Sequence, residues 1–226
     1  MKSMNVHKVK ADIIDPEAID AVLNENKIEW NAIDKLNWRE DYPYSPKVKF
    51  RIAHTGDAFL LEFSVEENYT AALCGEDNDD VWNDSCVEFF SMPGDDDELY
   101  YNLECNCIGK LLLGCGADRN GRERAPKTIT DRILRYSTLG DKPFEEQKGD
   151  NEWTVALKIP ISVFWHSNIK TLDGKTIRAN FYKCGDKLSK PHFLSWSEIE
   201  SPNPDFHRPD WFGSLFLDKK SVGEED

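Results

Sequence analysis

The sequence has no apolar run approaching the ~18–20 residues that a membrane-spanning helix needs. Its first residues, MKSMNVHKVKADIIDP, include basic side chains but no apolar core segment, so no signal peptide is visible. The expected compartment is the cytoplasm, or the periplasm or exterior if a leader has been removed. Methionine and histidine are scarce, at three and five residues. The six cysteines contain no C-x-x-C pair and meet no H-x-x-x-H partner, which removes the common zinc-finger spacings. G-x-S-x-G, P-loop and H-E-x-x-H motifs are also missing, and with them the hydrolase, nucleotide and metalloprotease classes they mark. Basic residues fall well short of acidic ones, 28 against 42, for a net charge of −14. Such a surface repels a phosphate backbone and an anionic membrane, so neither nucleic acid nor membrane is an expected partner. Neutral ligands and divalent cations remain compatible.

Aromatic side chains are plentiful: seven Trp, seven Tyr and twelve Phe. They favour strands and stacking surfaces. Pro16 at a first turn, followed by Ile19, Val22 and Leu23 on one stripe, predicts a short helix. Residues 48–55 then alternate as VKFRIAHT, and residues 58–65 follow a Gly56-Asp57 turn, which together read as a hairpin. Further strands are expected at 85–91, 100–107, 110–115, 133–137, 153–161, 177–184, 192–197 and 211–217. Short strands punctuated by turns predict an all-β fold, a two-sheet antiparallel β-sandwich of jelly-roll or immunoglobulin-like type, with a short N-terminal helix or extension. The expected organisation is an extension over residues 1–29, one sandwich domain over 30–220 and a disordered acidic tail over 221–226. A monomer with buried free thiols is expected.

Four stretches offer chemistry. In DVWNDSCVEFF (80–90), Trp82 stands among polar neighbours, and Glu88 faces away from Val87 and Phe89 in an otherwise apolar strand. A Trp ring can take the apolar face of a pyranose while a nearby carboxylate, Glu88 or Asp84, accepts hydroxyl protons. The alternative is a core Trp and a solvated Glu. In HFLSWSE (192–198), Trp196 is either core or the second wall of an aromatic slot. In FHRPDWFG (206–213), His207 is either a ligand contact or a hydrogen-bonded structural residue. In RANFY (178–182), Arg178, Asn180 and Tyr182 share one strand face. There the Arg and Asn serve sugar hydroxyls, or the Arg belongs to a buried Arg–carboxylate pair.

Taken in order, the motifs resemble carbohydrate-binding module family 9 and its DOMON-like β-sandwich relatives. The matching features are Trp30, the hairpin 48–65, Trp82 to Phe90, Tyr100-Tyr101-Asn102, Trp153 to Pro160, Arg178 to Tyr182, Ser195-Trp196 and Pro209 to Leu217. The resemblance spans about 190 residues. It implies non-catalytic binding of a glycan end or short saccharide, in carbohydrate catabolism. It further implies that Trp82 and Trp196 supply the two rings and Glu88 the carboxylate. A family arginine beyond the Tyr-x-Asn strand has no counterpart there, Lys110 being the nearest basic residue, and Ser85 replaces an Asp. No cofactor is required. The resemblance also implies structural calcium, for which the acidic loops 76–80 and 94–98 offer oxygen ligands. Three other readings stay open, one of them a protein-interaction domain with no small ligand, in which Trp82 and Trp196 are core. A glycoside hydrolase would pair Glu88 with Asp84 or Glu104. A haem-binding module would use Met92 and His207 as axial ligands.

Overall fold

The computed structural model of the chain describes residues 1–94 and 98–223. Among them, fourteen strands form one continuous hydrogen-bonded sheet that folds over into two facing layers. The first five are β1 (Ser3–Lys8), β2 (Asn31–Ala32), β3 (Lys35–Leu36), β4 (Lys47–His54) and β5 (Ala58–Ala72). Next come β6 (Cys86–Met92), β7 (Tyr100–Asn106), β8 (Leu111–Gly116), β9 (Glu123–Arg124) and β10 (Leu134–Ser137). The last four are β11 (Phe144–Pro160), β12 (Thr176–Cys184), β13 (Phe193–Ser195) and β14 (Gly213–Ser221). One layer is β10-β11-β5-β4 and the other β14-β12-β6-β7-β8-β9, with β1 as the seam. No helix among the described residues is long and apolar enough to cross a membrane.

Period-two alternation builds the interior. Val48, Phe50 and Ile52 of β4 and Phe59, Leu61 and Phe63 of β5 turn inward, where they meet the odd-numbered residues of β6 and β12. Phe181 lies 3.7 Å from Phe50 and 5.0 Å from Phe89, ring centroid to centroid, so three rings tie the layers together. Gly56, with a φ of 95°, closes the β4–β5 hairpin through Thr55 N–H to the Ala58 carbonyl at 2.9 Å. On the outside of the first layer, α1 (Ile19–Glu25) buries Ile19 and Leu23 against Ala53, Leu60 and Ala156. Arg51 fixes the helix to the sheet, with Glu62 and Asp20 each at 2.6 Å.

Two features go beyond the expected strands. Within residues 1–29, the expected N-terminal extension, β1 runs parallel to both β14 and β4 and joins the layers. The sandwich is therefore antiparallel except at this seam. Of the six residues of β1 only Val6 is fully buried, too few for a recognisable strand pattern. β11 begins at Phe144, not near Trp153, because its polar first half pairs through the backbone with an equally extended β5. Of the expected tail, Ser221 still belongs to β14, and residues 224–226 lie outside the described residues.

One polar network sits inside the core. Lys183, fully buried, holds Nζ 2.9 Å from Glu67 Oε2, an ion contact without hydrogen-bond alignment. The same ammonium donates to the Cys184 carbonyl and to His192 Nε2, each at 2.8 Å. Burial and the Lys183 charge hold His192 well below its ordinary pKa, so the ring stays neutral and accepts. Trp153 Nε1 donates to Glu67 Oε1 at 2.8 Å. With each member bonded, the pair is tolerated where a lone charge would not be.

Candidate functional site

The even-numbered residues of β6, β7, β8 and β12 face away from the interior. They form the floor of a 420 Å³ cavity roofed by the loops around residues 119–122 and 204–207. Glu88 and Glu104 are direct cross-strand partners on this floor, 2 % and 4 % exposed. Glu88 Oε1 accepts from the Cys184 thiol at 3.1 Å, and Glu104 Oε1 from Asn102 Nδ2 at 2.8 Å. Among the described residues, the second oxygen of each, Oε2, is buried with no hydrogen-bond partner. Orphaned acceptors of this kind cost stability unless a ligand or water supplies donors.

The environment moves both carboxyl groups toward the neutral form. Burial raises Glu88 well above the carboxylate range, and the Glu104 charge adds to it. Burial likewise raises Glu104 to about 7, against the lowering effect of the Asn102 hydrogen bond. Two carboxyls this close titrate as a pair. Arg122 organises the adjoining wall. Its Nε donates to Asn102 Oδ1 at 2.8 Å, Nη2 donates to the Tyr100 carbonyl at 2.7 Å, and the guanidinium covers the Tyr100 ring at 3.9 Å. The result is an Arg122–Asn102–Glu104 chain. Gly114 makes room for it, since a Cβ there would lie 2.4 Å from Asn102 Oδ1. Aromatic surface comes from Trp82, Phe193 and Phe206. Trp82 is half-buried on the 3-10 turn Val81–Asn83, and Phe206 stacks on Tyr182 at 4.1 Å.

Of the residues singled out in the sequence, Trp82, Glu88 and His207 meet at the cavity. His207 Nδ1 bonds the Tyr100 hydroxyl at 2.9 Å, and burial lowers its pKa to about 3, so the ring is neutral near pH 7. Four others are not brought there. Trp196 is core, 3 % exposed and edge-on to Phe50 and Phe181 at 6.1 and 5.7 Å. It lies on the inner side of the sheet, so it forms no slot with Trp82. Asp84 is consumed by the backbone N–H groups of Leu73 and Cys74 and by Asn106 Nδ2, at 2.9–3.0 Å. Asn180 spends both ends of its amide on Ser197 and Phe181. Arg178 shares their strand but sits at its exposed start, donating to the Pro209 carbonyl.

In the sequence Asn102 stands out only within the Tyr100-Tyr101-Asn102 motif, Arg122 has no marked role, and Glu104 has only a hydrolase role. Asn102 and Glu104 carried a signal, being polar on alternate positions between Tyr101, Leu103 and Cys105. Arg122 lies in an irregular loop and carried none. Met92 is not among the residues that line the cavity with His207. In the acidic loop 76–80, Asp77 is paired with Arg135 at 2.6 Å and Asp80 with Arg124 at 3.2 Å. Residues 95–97 of the second acidic loop lie outside the described residues.

Comparison with known proteins places these features in context. The model of the family described as carbohydrate-binding family 9 matches residues 17–217. No curated protein matches the chain. Among solved structures, a proposed carbohydrate-binding protein from Bacteroides uniformis ATCC 8492 is 46 % identical, with a TM-score of 0.93 over 96 % of this chain and 99 % of that one. A family 9 carbohydrate-binding module from Caldicellulosiruptor kristjanssonii has been solved with cellotriose and with glucose. These structures are 16 % and 17 % identical, with TM-scores of 0.60 and 0.56; each alignment covers 100 % of this chain, and 98 % and 100 % of theirs. At that identity they share the fold.

Proposed function

The chain belongs to carbohydrate-binding family 9, and on that premise we propose that its cavity holds a glycan end or short saccharide without turning it over. The observation that carries this reading is the pair of unpartnered buried oxygens, Glu88 Oε2 and Glu104 Oε2, on the floor of a cavity with aromatic walls. A pyranose offers what these groups need. Its hydroxyls donate to the two acceptors, and its apolar face covers the Trp82 ring. Glu104 near 7 and Glu88 above the carboxylate range leave the floor only partly charged near neutrality, which suits a neutral ligand rich in donors. Asn102 and Arg122 position Glu104. Phe193 and Phe206 replace the second tryptophan as apolar surface.

The hydrolase alternative has one observation in its favour: two carboxyls side by side, one raised to about 7. Their placement argues against it. A glycosidase sets its acid and its nucleophile or base on either side of the scissile bond. Glu88 and Glu104 stand on adjacent strands of one floor, and both face a ligand from the same side.

The test is calorimetric titration against glucose, xylose, cellobiose and xylobiose, with and without calcium, alongside an assay for released reducing ends. Saturable binding without release supports the proposal. Silence across the panel from a folded sample refutes it, and release of reducing ends restores the hydrolase.

A further inference from the structure

The floor of the cavity holds a second cluster that saccharide binding does not require. Cys86 on β6 and Cys184 on β12 are direct cross-strand partners, and Glu88 follows Cys86 by two residues on the same face. One ligand atom from each lies within 4.8 Å of the others. Neither Cys86 nor Cys184 is in a disulfide, and they are 0 % and 1 % exposed. We propose that Cys86, Glu88 and Cys184 bind a thiophilic divalent cation of the zinc type, with the remaining coordination position open to the cavity.

Three observations support this beyond proximity. The spacing suits a tetrahedral ion: Zn–S near 2.3 Å and Zn–O near 2.0–2.2 Å put neighbouring ligand atoms about 3.4–3.8 Å apart. The Cys184 Sγ–Glu88 Oε1 contact is 3.1 Å, and no two of the three ligand atoms are more than 4.8 Å apart. Glu88 Oε2 is a buried acceptor with no partner, 98 % of the residue being withdrawn from solvent, where a second donor or a metal is called for. Among the described residues no Lys or Arg hydrogen-bonds to that oxygen. Lys183, between the two strands' ligands in sequence, points into the opposite core and is held by Glu67 and His192. Glu88 and Cys184 both line the cavity, which gives the ion an entry path. Two thiolates select zinc or another soft ion over calcium and magnesium, whose ligands are oxygens. The open position would face the saccharide space, with Glu104 beside it to hold a metal-bound water.

The inference shares Glu88 with the saccharide reading but stands without it. Reduced, chelator-treated protein is titrated with Co²⁺ and then Zn²⁺, without sugar. One equivalent of Co²⁺ is expected to bind with thiolate charge-transfer absorption and the strong d–d bands of a tetrahedral site, and Zn²⁺ should displace it. Cys184→Ser and Glu88→Gln should each weaken uptake by at least about tenfold, while Cys74→Ser, outside the cluster, leaves it unchanged. Glu88→Gln keeps the shape of the floor and decides the matter if Cys184→Ser does not fold. Three results overturn the proposal: no uptake by protein with six titratable thiols, uptake without charge transfer, or equal uptake by the variants. Saccharide titration of the metal-free protein reads the other proposal separately, so either can fail alone.

Discussion

Trp82→Ala separates a ligand-stacking ring from a core ring. A sugar face laid on the half-buried indole removes roughly 60–80 Å² of apolar surface from water, worth about 1.5–2 kcal/mol at ~25 cal/mol/Å². Truncation should therefore weaken saccharide binding by about 10–30-fold. Stability should change little, because the turn is held by its backbone and by Val81, which is fully buried. Asp186 N–H donates to the Trp82 carbonyl and Lys187 N–H to the Asn83 carbonyl, both at 3.1 Å, and neither needs the indole. Asp84 adds its bonds to the 73–74 backbone. A cost below ~1 kcal/mol lowers Tm by no more than about 4 °C in a chain of this size. Calorimetric titration with the tightest-binding sugar of the panel, paired with a thermal melt, reads both quantities. Unchanged affinity would refute the role of Trp82 in the site. A fall in Tm beyond about 10 °C would mean that its packing against the Phe90–Tyr182 cluster dominates.

Lys183→Met strands the Glu67 carboxylate in the core and should cost about 3–5 kcal/mol in urea denaturation, with Lys183→Met/Glu67→Met recovering most of it. A single variant within ~1 kcal/mol of wild type would show that the ion contact contributes little. His207 is held at about 3 against an ordinary 6.5. Below pH 6.5 the unfolded chain therefore takes up a proton that the folded one refuses, and stability falls as pH drops from 6.5 toward 3. His207→Gln should remove that contribution, about 1–2 kcal/mol between pH 7.5 and pH 5, seen as a flatter dependence of the urea midpoint on pH. A variant as acid-sensitive as wild type would place the titration elsewhere.

Much of the fold lies in local patterning, and so does part of the site. The alternation of residues 48–65 around Gly56-Asp57 determined a hairpin, because side chains two apart must share a face. That rule set Glu88 against Val87 and Phe89, and it would equally have set Asn102 and Glu104 on the same face. The rule does not say which face meets solvent, core or ligand. For that reason Trp196, equally well patterned, turned out to be core, and Asn180 and Asp84 turned out to spend their polar atoms on the backbone. Those outcomes depend on which strands become neighbours: β13 beside β12, and β6 between β12 and β7. The cavity itself exists only because loops some 80 residues apart, around 119–122 and 204–207, close over one sheet face. By itself the sequence determined most of the strands, the class and three residues of the cavity, since these follow from composition and near-neighbour geometry. Tertiary structure alone decided the β1 seam, the Glu88–Glu104 pairing, the arrival of Arg122 and the meeting of Cys86 with Cys184, since each is a contact between segments whose distance along the chain carries no local signal.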